Sequence, residues 1–94
     1  MTNGEGTGAV PQGSAPGSAQ AVLQYLAESF TDDPSGIEIA ASRGRSGLTL
    51  ELSVAPGDMG KVIGRRGRTA QAIRTVTRAA GARDGVDVRV DIVD

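Results

Sequence analysis

Residues 56–74 read PGDMGKVIGRRGRTAQAIR and contain two helical patterns separated by a four-residue link. The first helix, which Pro56 can open, ends near Ile63, and the second is predicted over residues 68–80. The link at residues 64–67 places two arginines between two glycines. Glycine permits positive φ and close approach of another chain, so this link is the first candidate for a binding site.

The segments on either side of the helix pair have the patterns of one further helix and three strands. An apolar 3.6-residue period begins after Ser18, and alternating apolar residues mark each strand. Gly81 is expected to end the second helix of the pair. The predicted elements are a helix over residues 18–30, a turn at 32–36, strands at 37–41 and 48–54 around a hairpin loop at 43–47, and a strand at 86–92.

The order α-β-β-α-α-β predicts an α+β domain in which three helices pack on one face of a three-stranded sheet. Residues 1–17 are rich in Gly, Pro and Ser and are predicted to be a disordered tail, because such a segment buries too little apolar surface to offset its ordering entropy. The domain is therefore assigned to residues 18–94. The helix after the link is expected to bury one stripe of residues, namely Ala70, Ile73, Val76 and Ala80.

Composition excludes several classes of function. The 94 residues contain no Cys and no His, so thiolate catalysis, histidine catalysis and Cys/His zinc sites are excluded. Asp58 fronts a helix without a catalytic companion, and Asp87 and Asp91 lie too far apart along a strand for an acid–base pair. We expect no enzyme activity and no cofactor. We also expect no signal peptide and no membrane span, and a cytoplasmic location.

The formal net charge of −1 hides a strong segregation of charge. Residues 59–83 carry seven Lys and Arg and no acid, whereas residues 1–58 have a net charge of −5 and residues 84–94 a net charge of −3. One basic segment in an otherwise acidic chain is typical of a protein that binds a polyanion, although a solvated arginine-rich helix face gives the same pattern.

The cations next to the link are placed against the usual electrostatic preference of a helix. Arg65, Arg66 and Arg68 lie at a helix N-terminus, where a cation is unfavourable by about 0.3–1 kcal/mol. A bound phosphate would reverse this penalty, because helix N–H groups and arginine forks both bind phosphate oxygens. The nucleotide P-loop sequence is missing, and the glycines follow a helix instead of a strand, which excludes the dinucleotide-binding fingerprint. A GxxG link between two helices is instead typical of the KH module, which clamps about four single-stranded nucleotides.

The predicted site consists of the link and the residues around it. The bases are expected to lie in an aliphatic groove formed by Met59 to Ile63, by the helix that carries Ile73 and by a neighbouring strand, because Tyr25 and Phe30 are both in the first helix. Lys61 is interpreted as a phosphate contact, and Gly60 either packs closely against a neighbour or belongs to the site. The candidate RNA-binding residues are Gly60, Lys61, Ile63, Gly64, Arg65, Arg66, Gly67 and Arg68.

Residues 54–74, VAPGDMGKVIGRRGRTAQAIR, closely resemble the KhpA family of small bacterial KH-domain proteins, and the similarity extends over residues 19–93. One departure is Gly57, where family members commonly have an acid. The resemblance implies a type II KH fold, cytoplasmic RNA binding and an RNA-chaperone or post-transcriptional role. It also implies pairing with a second copy or with a KhpB-type protein and, in some bacteria, a link to cell length and cell-wall synthesis.

The residues themselves leave two alternatives open. The third helix and an exposed apolar groove could serve protein pairing, with RNA binding incidental. The link at residues 64–67 could also bind single-stranded DNA, because a contact to the sugar-phosphate backbone does not require a 2′-hydroxyl.

Overall fold

The computed structural model describes residues 18–93. The tail predicted for residues 1–17 and the last residue, Asp94, lie outside the described residues. Short 3-10 turns precede β1, α2 and α3. The helices and strands, in chain order, are α1 (Ser18–Phe30), β1 (Glu38–Gly44), β2 (Gly47–Ser53), α2 (Met59–Ile63), α3 (Arg68–Arg83) and β3 (Val88–Ile92).

The three strands form one mixed sheet in the order β1-β2-β3. β1 and β2 are antiparallel, with Glu38 opposite Ser53 and Gly44 opposite Gly47. β2 and β3 are parallel, and Leu48 lies beside Val88. The parallel pair requires the chain to cross over between these strands, and α2 and α3 form that crossover. The α+β fold with a three-stranded sheet is therefore confirmed.

The core lies between the helices and one face of the sheet. β2 is the central strand, and its alternate residues Leu50 and Leu52 are fully buried. Leu23 of α1, Val62 of α2 and Ile73 of α3 meet them in a single apolar cluster. The alternate apolar residues of β2 and the apolar sides of the helices thus pack together on one face of the sheet, as the sequence pattern predicts. None of the helices within residues 18–93 is both long enough and apolar enough to span a bilayer.

The hairpin and the third strand differ from the predicted boundaries. β1 continues to Gly44, so the loop expected at residues 43–47 is a tight turn around Arg45 and Ser46. β3 begins at Val88, two residues later than expected, because Val86 instead donates its N–H to the carbonyl of Gly81 over 2.8 Å.

The prediction that Gly81 ends the second helix of the pair is wrong. α3 continues to Arg83, and the residue with positive φ after its end is Gly85, at +74°. The N–H of Gly85 donates to the carbonyl of Ala82, and the N–H of Val86 to that of Gly81, which together form a Schellman cap. Gly81 lies inside α3 for a different reason: a Cβ there would be 2.3 Å from Cγ2 of Val88.

The buried stripe of α3 also differs from the prediction. The expected stripe contained Val76 and Ala80, but Val76 is 48% exposed, and the buried residues are Ala70, Ile73, Thr77 and Gly81. Residues three or four positions apart can both share one face of a helix. Here the buried residues after Ile73 are spaced by four, at Thr77 and Gly81, and lead to the close contact at Gly81. A threonine therefore occupies a core position that the sequence pattern assigns to valine.

Candidate nucleic-acid interface

The link between α2 and α3, which is the loop at residues 64–67, has an unusual backbone. Gly64 has φ 75° and ψ 175°, Arg66 has φ 58° and Gly67 has φ 73°. Within residues 18–93, Arg66 is the sole non-glycine residue with positive φ. The turn is closed by the N–H of Gly67, which donates to the carbonyl of Gly64 over 3.2 Å. The backbone reverses direction tightly here, and the side chains of Arg65 and Arg66 are exposed.

Gly64 is enclosed by the start of α3. A Cβ at this position would lie 2.2 Å from Oγ1 and 2.9 Å from the backbone nitrogen of Thr69. Its φ and ψ also belong to a region that is essentially restricted to glycine. Gly67 differs, because a Cβ there would meet no atom within 4 Å. The first glycine of the link is therefore required by both backbone conformation and space, and the second by backbone conformation alone.

The N-terminus of α3 is open and strongly cationic. Gly67 is the N-cap and supplies no side chain, and the first turn contains no acid. Arg65, Arg66 and Arg68 are exposed, and the ion pairs formed among residues 18–93 do not include them. The N–H groups of Gly67 and Arg68 donate within the turn, to the carbonyls of Gly64 and Arg65. The positive end of the α3 dipole and three exposed guanidinium groups thus lie together, an arrangement suited to an anion with several oxygens.

The predicted groove is only partly formed by the expected side chains. Ile63 is 36% exposed and lies directly before Gly64, so it offers an apolar surface beside the loop. Val62 and Ile73 are buried in the core. Among the described residues, a Cβ at Gly60 would meet no atom within 4 Å, so packing within residues 18–93 does not explain this glycine.

Lys61 is held by two carboxylates. Its ammonium contacts Oδ2 of Asp32 and lies 3.6 Å from Oδ1 of Asp58. The hydrogen bond to Asp32 raises the pKa of Lys61 above its ordinary value, although desolvation acts in the opposite direction. Lys61 lies in the last turn of α2, close in sequence to the loop, but its charge is already paired, unlike the charges of the three arginines.

Asp58 is a residue whose role sequence reasoning missed. It is 3% exposed and makes no side-chain cap to α2. Its carboxylate instead accepts hydrogen bonds from the backbone N–H groups of Asp32, at 3.1 Å, and Asp33, at 3.0 Å. These two hydrogen bonds are the main cause that lowers the pKa of Asp58. Asp58 therefore ties the segment between α1 and β1 to the start of α2.

The remaining cations of α3 lie farther from the loop. Arg74 donates from Nε to the carbonyl of Val90 over 3.2 Å, so its side chain bridges α3 to β3. Arg78 is exposed. Within residues 18–93, no cluster of three or more acidic side chains could hold a metal ion.

Comparison with known proteins is consistent with this geometry. The family described as KhpA/KhpB, KH domain, matches residues 20–92. The RNA-binding protein KhpA of Streptomyces coelicolor is 49% identical over 72 residues, which are 77% of this chain and 87% of that protein. The RNA-binding protein KhpA of Clostridium acetobutylicum is 44% identical over 72 residues, which are 77% of this chain and 96% of that protein.

Solved structures share the fold at low identity. A crystal structure of Era from Aquifex aeolicus superposes with a TM-score of 0.55 at 17% identity and covers 79% of this chain. The chain spans 29% of that Era chain, and at this identity the likeness shows the fold alone.

The two KhpA proteins are named as RNA-binding proteins, in agreement with the expectation of a binding protein. The family match extends over nearly all of residues 18–93 and includes the whole α2–loop–α3 unit. The identity over most of both chains confirms the resemblance seen in residues 54–74. The chain belongs to the KhpA/KhpB KH-domain family.

Proposed function

We propose that this protein binds single-stranded RNA through the sugar-phosphate backbone, which passes over residues 64–67. The observation that carries the proposal is the coincidence of a turn bounded by two glycines, a helix N-terminus without a side-chain cap and three arginines that lie outside the ion pairs of residues 18–93. Phosphate oxygens pair with the guanidinium groups of Arg65, Arg66 and Arg68 beside the positive end of the α3 dipole. The name of the KhpA relatives, RNA-binding protein, supports RNA as the polyanion.

Base contacts are weak and apolar in this proposal. Ile63 provides the exposed aliphatic surface next to the loop, and Gly60 leaves open space one turn before Gly64. Tyr25 and Phe30, the two aromatic residues of the sequence, are both in α1. Without aromatic stacking, sequence preference is modest, and most of the affinity comes from phosphate contacts.

Charge reversal of the loop tests the proposal. Arg65→Asp/Arg66→Asp is expected to abolish binding of a short fluorescent single-stranded RNA, measured by fluorescence anisotropy, with an unchanged thermal unfolding midpoint. The matched control is Arg78→Asp/Arg83→Asp, which makes the same charge change roughly 15 and 22 Å along α3 from Arg68. The control is expected to retain most of the affinity. Equal affinities of the loop variant and the wild type would refute the assignment.

The alternative nucleic acid is single-stranded DNA, because the contacts proposed above are to the backbone. Competition between RNA and DNA oligonucleotides of matched sequence separates the two. The proposal expects RNA to displace the labelled RNA at lower concentration than DNA does.

The proposal includes pairing with a second copy or with a KhpB-type protein, because one KH site offers a small contact surface and a second site raises the effective concentration. The 48% exposed Val76 on α3 supports an apolar pairing surface. Light scattering with and without RNA measures the oligomeric state. If the protein pairs but the loop variant binds RNA normally, the molecule is an assembly module with incidental RNA binding.

The cellular role within this proposal is that of an RNA chaperone or post-transcriptional regulator in the cytoplasm, with a link to cell length and cell-wall synthesis. RNA crosslinking and sequencing, with the wild type and with the loop variant, tests this role by comparing the transcripts that each retains.

A further inference from the structure

The contacts around Lys61 divide the basic segment into two parts. Among residues 18–93, Arg65, Arg66 and Arg68 take part in no ion pair, whereas the ammonium of Lys61, three residues before Gly64, contacts Asp32. Asp32 comes from the segment after α1, and its side chain is 81% exposed. Lys61 is the cation closest in sequence to Gly64 on the α2 side of the loop. It is therefore paired with a carboxylate from a distant part of the chain.

The buried carboxylate of Asp58 fixes the position of Asp32. The N–H groups of Asp32 and Asp33 both donate to the carboxylate of Asp58, and Asp58 is itself close to Lys61. Two backbone hydrogen bonds to one carboxylate fix the local chain, so the Asp32 side chain needs little further ordering to reach the ammonium. The Asp32–Lys61 pair is exposed to solvent and for that reason weak and displaceable.

We propose that Asp32 competes with RNA for Lys61, and that Asp58 is a positioning residue that holds Asp32 in place to do so. This inference rests on the proposed function and names an internal regulator of the same site. A phosphate that approaches Lys61 must displace the Asp32 carboxylate and meets its negative charge. The bound strand therefore contacts mainly Arg65, Arg66 and Arg68. Its affinity is lower than it would be if all seven cations of the segment were available.

A double-mutant cycle with a fluorescent single-stranded RNA tests the competition. Asp32→Asn is expected to tighten binding about two- to fivefold, the range of a surface ion pair. It is also expected to steepen the dependence of log affinity on log salt by about one phosphate contact, since Lys61 becomes available. In the Lys61→Gln background, where Asp32 has no ammonium to release, Asp32→Asn is expected to give no gain beyond that of the neighbouring Asp33→Asn.

Asp33→Asn is the matched control, because it removes the same charge from the next residue, whose carboxylate is not paired with Lys61. Its gain is expected to be smaller than that of Asp32→Asn and the same with or without Lys61. Thermal unfolding of each variant verifies that the fold is retained.

The inference is overturned if Asp32→Asn leaves affinity and salt slope unchanged, or if its gain is equally large in the Lys61→Gln background. Failure of the proposed function has a different signature in the same series: the wild type then binds no RNA, or Arg65→Asp/Arg66→Asp binds as well as the wild type. Each of those two results overturns both the proposed function and the inference about Asp32.

Discussion

Gly64 is the position where the loop depends most on the absence of a side chain. Its φ of 75° and its contact with Thr69 are independent constraints, whereas Gly67 has only the first. The sequence predicts both glycines of the link, because the GxxG spacing between two helical patterns is legible without a structure. It does not predict that the two differ, since the neighbour of Gly64 is known only from the fold.

Replacement by alanine separates these two constraints. Gly67→Ala is expected to lower the free energy of unfolding by about 1–2 kcal/mol, the cost of a left-handed backbone for a residue with a Cβ. Gly64→Ala is expected to cost more, because Thr69 must also shift, and to weaken RNA binding more than Gly67→Ala does. Urea unfolding and RNA anisotropy measure both variants. Equal stabilities of the two variants would contradict the contact with Thr69.

Asp58 makes folding sensitive to acid. Its pKa is held below the ordinary value of 3.8 in the folded chain by the N–H groups of Asp32 and Asp33. A carboxyl group with a depressed folded pKa stabilises the fold above its unfolded pKa, and the contribution is lost as the pH falls through the folded pKa. Asp58→Asn is therefore expected to lower the unfolding midpoint at neutral pH, by an amount that shrinks below about pH 4.

Thermal unfolding from about pH 7 to pH 2 measures this dependence. Glu51→Gln, at an exposed position of β2, is the control and is expected to leave the midpoint nearly unchanged. A constant difference between the wild type and Asp58→Asn across this range would contradict the role given to the carboxylate.

Thr77 carries a buried hydroxyl that has no hydrogen-bond partner among the described residues. An unsatisfied polar group in a core costs about 1–3 kcal/mol. Thr77→Val keeps the shape and removes the hydroxyl, so it is expected to raise the free energy of unfolding by about 1 kcal/mol. Thr77→Ser, which keeps the hydroxyl and loses the methyl group, is expected to lower it. A Val variant less stable than the wild type in urea would contradict this assignment.

The elements are more predictable than their ends. Two glycines near the end of α3, Gly81 and Gly85, both resemble a stop signal, and the sequence does not say which one adopts positive φ. The choice follows from packing: the helix must run past Gly81 so that its backbone can approach Val88 closely. The same contact selects Thr77 over Val76 for the buried stripe, which explains why the predicted stripe is partly wrong.

The close contact of α3 with β3 gives a prediction with an internal control. Gly81→Ala improves helix propensity by about 1 kcal/mol, but its Cβ would be 2.3 Å from Cγ2 of Val88. Overpacking is the larger effect, so we expect a net loss of about 1–2 kcal/mol in urea unfolding. Gly60→Ala, in α2 with no atom within 4 Å of its Cβ, is expected to be neutral or stabilising. A stabilised Gly81→Ala variant would contradict the packing.

Considered as a whole, the molecule carries most of its positive charge in one unit of the fold, α2, the loop and α3. Its net charge is −1, yet the α2–loop–α3 unit carries seven cations. Within the part of the chain that the structure describes, Lys61 is paired and the three arginines at the loop are not. The sequence reveals the basic segment and the fold that presents it. It does not reveal which cation is neutralised, because Asp32 and Asp58 reach Lys61 through contacts between distant segments.

The central claim is that a single RNA strand lies on the backbone of residues 64–67. Amide chemical-shift perturbation by NMR, during titration of the wild-type protein with a short single-stranded RNA, tests it directly. We expect the largest shifts at the amides of Gly64 to Gly67 and in the first turn of α3. The largest shifts at Thr49, Glu51 and Arg89, on the strands of the sheet, would contradict it.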